Sequence, residues 1–240
     1  IFVIDNSGSM NMFQTNLSMN IGSFMQAFIA AGADYRMAVI TTDRSSFSTV
    51  INPTTPNAQS ILSSLIMTGV HGSGMEKGIE MAYRSLSFDS AAPGGDFFRS
   101  YAKLAVIFVS DEPDHSASWS TYISFFDGLK PAGDFMPYGV IGDVPSGCVM
   151  STNISADAGL GYWDLIDYYG GLWYSICASN WGVQLQDLAQ ELTGRSSFPL
   201  DEPDPIENTI EVRVNGQLSY DWSYNPSLNS VIFSQDPTPT

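Results

Sequence analysis

The residues whose types and spacing could do chemistry stand at the start of the chain. Asp5, Ser7 and Ser9 form an Asp-x-Ser-x-Ser pattern directly after the apolar run 1–4. One carboxylate and two hydroxyls are hard oxygen donors, which suit Mg²⁺, Mn²⁺ or Ca²⁺ better than zinc. The pattern therefore indicates half of the coordination shell of a hard divalent cation.

Two further oxygen donors follow other elements of the chain. Asp111 comes after the apolar run 102–109, and Ser73 lies in the glycine-rich loop 69–74. In an open α/β sheet, ligand sites lie at the carboxyl ends of the strands. We therefore predict that these loops converge on one metal site, whose ligands are Asp5, Ser7, Ser9, Ser73 and Asp111.

Other polar side chains near these loops have alternative interpretations. Glu76 is a rival of Ser73 as a ligand, but we interpret it as an acid in the first turn of a helix, facing the helix dipole. His71 and His115 flank the same loops, and we interpret both as ordinary loop histidines. Ser7 does not stand in a Gly-x-Ser-x-Gly elbow, which disfavours a role as a nucleophile.

Apolar runs and helical spacings alternate along the first 195 residues. Strands are predicted at 1–4, 35–42, 102–109 and 135–141, with a short edge strand at 48–51, and helices at 13–31, 57–67, 75–86, 119–129 and 182–192. The segment 143–180 is interpreted as rich in loops. This order favours an α/β fold with a doubly wound, mainly parallel sheet and helices on both faces.

The sequence changes character near residue 198. Pro199, Pro203 and Pro205 indicate a stiff linker. The alternating run 210–214 and the Asn215-Gly216 pair that follows it are typical of a β-hairpin. We therefore predict a main domain at 1–197 and a small β module or β extension at 198–240.

Composition limits the classes of function. The 240 residues carry 9 basic and 25 acidic side chains, a formal net charge of −16. Such a charge repels phosphate backbones, so nucleic acid is not an expected partner. No stretch of 18 apolar residues is present, so no transmembrane segment is expected. Because the chain starts within a predicted strand, we expect targeting residues to precede Ile1.

At this point the residues resemble a known family. The chain resembles a von Willebrand factor A-type (VWA) domain with a metal-ion-dependent adhesion site. Three features carry the resemblance: the Asp5-x-Ser7-x-Ser9 motif after an apolar strand, a hydroxyl in a glycine-rich loop, and Asp111 after the next core strand. The resemblance covers about residues 1–195. It implies that Ser7 and Ser9 bind the metal directly. Ser73 stands where the family usually has threonine.

The resemblance also has implications for covalent structure and location. Cys148 and Cys177 fit neither a CxxC redox pair nor a zinc site, and composition alone leaves a disulfide or two free thiols open. The phrase 106–112 and the two cysteines are most similar to bacterial surface or lipid-anchored members, in which such cysteines are expected to form a disulfide. The implied location is extracellular or in the cell envelope, with outer-membrane lipid anchoring as one form.

The implied function is adhesion or ligand binding without catalysis. A bound Mg²⁺, or Mn²⁺ or Ca²⁺ in its place, would bind a carboxylate of a protein or other surface ligand. Two alternatives stay open: a Mg²⁺-dependent hydrolase of phosphate or other esters, and a scaffold whose metal site does not function.

Overall fold

The computed structural model describes residues 1–88, 97–99, 102–193, 197–200, 202, 205–214, 216–226 and 229–233. Its helices are α1 (Asn11–Ala30), α2 (Ala58–Ile66), α3 (Gly78–Phe88), α4 (Ile123–Leu129), α5 (Tyr162–Tyr169) and α6 (Trp181–Leu192). The strands of the main sheet are β1 (Phe2–Ile4), β2 (Val39–Thr41), β3 (Leu104–Ser110), β4 (Phe135–Ile141) and β7 (Trp173–Ser175). The smaller strands are β5 (Cys148–Ser151), β6 (Ile154–Ala156), β8 (Ser197–Pro199), β9 (Arg213–Val214), β10 (Gln217–Leu218), β11 (Trp222–Asn225) and β12 (Ser230–Phe233).

The central sheet has five strands in the order β2-β1-β3-β4-β7, and all neighbours are parallel. Ile4 of β1 is in register with Thr41 on one side and with Val109 on the other. Parallel neighbours need crossover connections, and helices provide them here. The predicted α/β fold with a doubly wound parallel sheet is therefore confirmed.

Side chains that alternate along the strands form two cores, one on each face of the sheet. Phe2 and Ile4 pack into the core that also contains buried residues of α1, α2 and α6. Val3 and Phe108 point to the opposite core, which contains buried residues of α3, α4 and α5. Both faces are covered, which explains why the strand sequences are apolar almost throughout.

The segment 143–180 is more ordered than the sequence indicated. It contains the antiparallel pair β5–β6, helix α5 and strand β7, which is an edge strand of the central sheet. These elements cover fewer than half of its residues, so the segment is loop-rich as expected, but the sequence did not predict the elements themselves. The predicted strand 48–51 is reduced to one antiparallel bridge between Met37 and Ile51.

The disulfide that the family resemblance implied is present between Cys148 and Cys177. Cys148 begins β5, and Cys177 follows β7 by two residues. The bond therefore ties the β5–β6 hairpin to the outer part of the central sheet.

The carboxyl-terminal strands form two small antiparallel sheets, β11-β12-β8 and β10-β9. The β9 and β10 strands flank the predicted Asn215-Gly216 turn. Asn215 of this turn and Pro203 of the predicted linker lie outside the described residues. The domain boundary between 197 and 198 stays a prediction. Among the helices that the structure describes, none combines the length and the apolar character needed to cross a bilayer.

Candidate metal centre

Asp5 and Asp111 lie at the point where the sheet reverses its winding. The chain leaves β1 for β2 on one side, and later enters β3 on the other side of β1. Connections that run in opposite directions leave a crevice outside the carboxyl ends of the two central strands. Asp5 follows β1 and Asp111 follows β3, so this topology positions both carboxylates at that crevice.

The Asp5 carboxylate is buried and held at both oxygens. Its Oδ1 accepts the Ser7 backbone N–H at 2.7 Å, and its Oδ2 accepts the Ser110 hydroxyl at 2.6 Å. Burial raises the pKa of Asp5, although these hydrogen bonds oppose the shift. The side chain therefore has one fixed orientation toward the crevice.

The two motif serines lie next to each other. The Oγ atoms of Ser7 and Ser9 are 3.2 Å apart, with Ser7 buried and Ser9 exposed. A short 3-10 turn, Gly8–Met10, leads from this pair into α1. The turn therefore places the Ser7 and Ser9 hydroxyls side by side, and the Ser9 hydroxyl is open to solvent.

Asp111 is the least satisfied member of the predicted set. Its side chain is buried, and its Oδ1 has no hydrogen-bond partner within the described part of the chain. Burial raises the pKa of Asp111 to about 7; a hydrogen bond from Ser9 opposes the shift, and the charges of Asp5 and Glu112 add to it. A buried carboxylate oxygen without a donor is suited to binding a cation.

Ser73 lies on the second loop, and its described hydrogen bonds are to Asp43 and Met75. Its exposed hydroxyl accepts the Met75 backbone N–H at 3.0 Å, and its own N–H donates to Asp43 Oδ2 at 3.2 Å. Among the described residues, no hydrogen bond joins the Ser73 side chain to Asp5, Ser7, Ser9 or Asp111. Its role as a ligand stays a prediction.

The second loop itself is fixed against the first motif. Gln14 is buried on α1, and its Nε2 donates to the backbone oxygens of Asp5 at 2.8 Å and of Gly69 at 2.9 Å. Gly72 donates its N–H to the backbone oxygen of Asn6 at 2.8 Å, and a side chain at Gly72 would overlap with Asn6. The two loops therefore form one side of the crevice.

Glu76, which the sequence offered as a rival of Ser73, lies close to Asp5 and Glu112. Helix α3 begins at Gly78, so Glu76 lies before the helix, and the interpretation as a first-turn acid is wrong. Its side chain is fully buried, and both carboxylate oxygens lack a hydrogen-bond partner among the described residues. Burial raises the pKa of Glu76 to about 8, and the negative charges of nearby Glu112 and Asp5 contribute to this rise.

The position of Glu76 depends on contacts from distant parts of the chain. Asp114, after β3, accepts the Ile79 backbone N–H at 3.2 Å, and the Ser116 hydroxyl accepts that of Glu80 at 2.9 Å. These bonds cap the start of α3 from another loop. A local reading of the sequence contains no signal for them.

The donor set fits a hard divalent cation. Asp5 and Asp111 supply carboxylates, Ser7 and Ser9 supply hydroxyls, and none of the described ion pairs gives either aspartate a lysine or arginine partner. Buried carboxylates without counter-charges are costly unless they are protonated or bind a cation. Oxygen donors of these types are the ligands that Mg²⁺ and Ca²⁺ use.

Residues 1–114 match the family model of the von Willebrand factor type A domain. The match includes the motif Asp5, Ser7 and Ser9, the second loop with Ser73, and Asp111. The VWA resemblance of the sequence is thus supported for this part of the chain. No curated protein sequence matches the chain significantly.

Solved structures with similar folds include a von Willebrand factor type A protein from Catenulispora acidiphila, which is 15% identical with a TM-score of 0.46. That alignment covers 80% of this chain and 42% of the other. Another is proximal thread matrix protein 1 from the mussel byssus, which is 11% identical with a TM-score of 0.47. This second alignment covers 79% of this chain and 45% of the mussel protein. The chain therefore spans less than half the length of either structure.

Proposed function

We propose that this chain is a ligand-binding domain of the VWA type, without catalytic activity, that binds an acidic group of a protein or other surface ligand through a divalent cation. The observation that carries the proposal is the pair of buried carboxylates at the reversal point of the sheet. Asp5 is fully oriented, whereas Asp111 Oδ1 has no donor among the described residues.

The ligands that we propose are Asp5, Ser7, Ser9 and Asp111, with Ser73 from the second loop. Mg²⁺ is the expected ion, and Mn²⁺ or Ca²⁺ use the same donors. When bound, the cation would supply a coordination position for a carboxylate oxygen of the partner. Because Ser9 is exposed, a group from another molecule has access to this side of the site.

The negative charge of the chain makes the proposed cation necessary for binding an acidic partner. A formal charge of −16 repels an acidic partner over the whole surface. The buried acids at the crevice add to that repulsion. Binding of a carboxylate should therefore require the cation and should be lost when the cation is removed.

We further propose that the domain works outside the cytoplasm. The disulfide between Cys148 and Cys177 favours an oxidising compartment. Residues 1–197 would form the ligand-binding domain, and 198–240 would be a β module or extension. A bacterial cell envelope with lipid anchoring is the finer form of this proposal.

The first test is Mg²⁺ uptake by calorimetry in wild type and in Ser9→Ala. Ser9 is exposed, so this variant should fold, and Mg²⁺ affinity should fall by at least about tenfold. Ser118→Ala is a matched control, since Ser118 is an exposed serine whose hydroxyl contacts Ser120 at 2.9 Å. Equal Mg²⁺ affinity in all three proteins would exclude the site.

The second test asks for ligand binding. Immobilised wild type should retain peptides from a library rich in aspartate and glutamate, and EDTA should release them. A matched library with asparagine and glutamine in place of the acids should not be retained. Retention that is insensitive to EDTA, or equal for both libraries, would contradict a bridging cation.

A further inference from the structure

A second group of potential metal ligands lies beside the site proposed above and shares no residue with it. Glu76, Glu112 and His115 each place one ligand atom so that the three atoms lie within 4.8 Å of one another. Glu76 precedes α3, whereas Glu112 and His115 follow β3. Two loops that are distant in sequence therefore bring two carboxylates and an imidazole together.

The buried side chain of Glu76 shows that this group is more than a cluster of surface acids. Its relative exposure is 0%, and neither carboxylate oxygen has a hydrogen-bond partner among the described residues. The imidazole Nε2 of His115 lies 3.9 Å from Glu76 Oε2, which is beyond hydrogen-bond distance. A carboxylate placed in this way costs several kcal/mol unless a proton or a cation compensates it.

The backbone around the cluster is held firmly. His115 donates its backbone N–H to the backbone oxygen of Glu76 at 2.6 Å. The Ser110 hydroxyl accepts the Glu112 N–H at 3.1 Å and donates to the Glu112 backbone oxygen at 3.0 Å. The backbone is thus fixed at Glu76, Glu112 and His115, whose ligand atoms already lie within 4.8 Å of one another.

The types of donor indicate the class of ion. An imidazole nitrogen with two carboxylates suits Zn²⁺, Mn²⁺ or another first-row transition metal, whereas Mg²⁺ prefers an all-oxygen shell. We propose that Glu76, Glu112 and His115 form a second cation site, which binds a transition-metal ion next to the hard-cation site at Asp5 and Asp111.

The site is accessible to an ion from solvent. His115 is exposed and Glu112 is half-buried, whereas Glu76 is fully buried. The charges of Asp5 and Glu112 act on Glu76, so a cation here also reduces the repulsion among the acids at the crevice.

Zn²⁺ titration of the full chain by calorimetry tests the site. Wild type should bind Zn²⁺, and His115→Gln should weaken that binding by at least about tenfold, because an imidazole ligand is lost. His71→Gln is the matched control, since His71 is an exposed loop histidine and the other histidine of the chain. Equal Zn²⁺ affinity in the two variants, or no Zn²⁺ uptake by wild type, would overturn the proposal.

Two further measurements separate this proposal from the function proposed above. His115→Gln should keep the Mg²⁺ affinity of wild type, whereas Ser9→Ala should lose Mg²⁺ affinity and keep the Zn²⁺ affinity. Pulsed electron paramagnetic resonance of bound Cu²⁺ should show coupling to an imidazole nitrogen in wild type and in His71→Gln. Persistence of that coupling in His115→Gln would contradict the assignment of His115 as a ligand.

Glu76→Gln provides an independent variant with nearly the same shape. It removes the carboxylate, so it should lose Zn²⁺ binding, and at pH 8 or above, where Glu76 becomes charged, the metal-free variant should be more stable in urea than wild type. If Glu76 and Glu112 only share a proton, Glu76→Gln should leave Zn²⁺ affinity unchanged. That result would overturn the second site.

Discussion

The hydroxyl of Ser110 donates a hydrogen bond of 2.6 Å to Oδ2 of Asp5. Ser110 is the last residue of β3, and Asp5 follows β1, so this bond joins the ends of the two central strands. It leaves Asp5 with one orientation, although Asp5 and Ser110 are 105 residues apart in sequence. Ser110 is therefore a positioning residue of the proposed metal centre.

Ser110→Ala should reduce Mg²⁺ affinity without removing a proposed ligand. Loss of a hydrogen bond that orients a metal ligand typically costs about 10- to 100-fold in affinity. Calorimetry on this variant, with Ser118→Ala as the exposed control, measures the effect. Wild-type affinity in Ser110→Ala would show that the bond to Asp5 has no positioning role.

Gln14→Leu should destabilise the protein and loosen the second loop. Leucine would leave the backbone oxygens of Asp5 and Gly69 without the amide that now donates to both. A buried polar group without a partner costs about 1–3 kcal/mol, and this cost applies to the Asp5 oxygen, whereas Gly69 is exposed and its oxygen can bind water. Urea unfolding should therefore show a loss of at least about 1 kcal/mol.

The control for that variant is Gln186→Leu on α6, where the side chain is exposed. Its free energy of unfolding should stay within about 0.5 kcal/mol of wild type. A similar small effect for Gln14→Leu would mean that the two carbonyl groups find other donors.

The metal-free protein should lose stability as the pH rises from about 5 to about 8. The pKa values of Asp111 and Glu76 are raised to about 7 and about 8, above their ordinary values of 3.8 and 4.5. Between those limits the folded protein binds more protons than the unfolded chain, so its stability falls with rising pH. Urea unfolding in EDTA across this range measures the slope.

Glu76→Gln and Asp111→Asn should each flatten that pH dependence, because each removes one raised group. Saturating Mg²⁺ should reduce the loss at high pH, since metal ligands bind as carboxylates. A stability that rises from pH 5 to pH 8 in EDTA would contradict the raised pKa values.

Removal of the disulfide should lower stability by about 3.6 kcal/mol, as expected for a loop with a sequence separation of 29. The double variant Cys148→Ser, Cys177→Ser leaves no thiol, since the chain contains two cysteines. Its urea midpoint should equal that of wild type treated with a reductant. A midpoint equal to that of oxidised wild type would show that the bond does not contribute to stability.

The sequence predicted the central elements because their apolar residues have clear periods. The runs around Ile4 and Val109 are buried on both faces, and α1 shows one apolar stripe over 20 residues. In contrast, α5 has only eight residues, of which Tyr162, Trp163, Tyr168 and Tyr169 are aromatic. Eight residues cover only about two helical turns, which are too few to identify a helix by its period, and the three residues of β7 are too few for a strand.

Within the candidate site, local patterns could indicate the motif but not the contacts between loops. Asp5, Ser7 and Ser9 were recognised because their spacing is local. Helix α3, which begins two residues after Glu76, is capped by Asp114 and Ser116 from 35 and 36 residues away. Contacts of this kind have no local signature, so the Glu76, Glu112 and His115 cluster could not be predicted.

The disulfide has a mechanical consequence for a protein that is pulled at its ends. Cys148 and Cys177 enclose α5 and β7 in a covalent loop with a sequence separation of 29. A force applied along the backbone passes through the sulfur bridge, so the enclosed residues stay slack after the domain unfolds. Fully extended, they would add roughly 100 Å of contour length, and a reductant would release that length in a single-molecule stretching experiment.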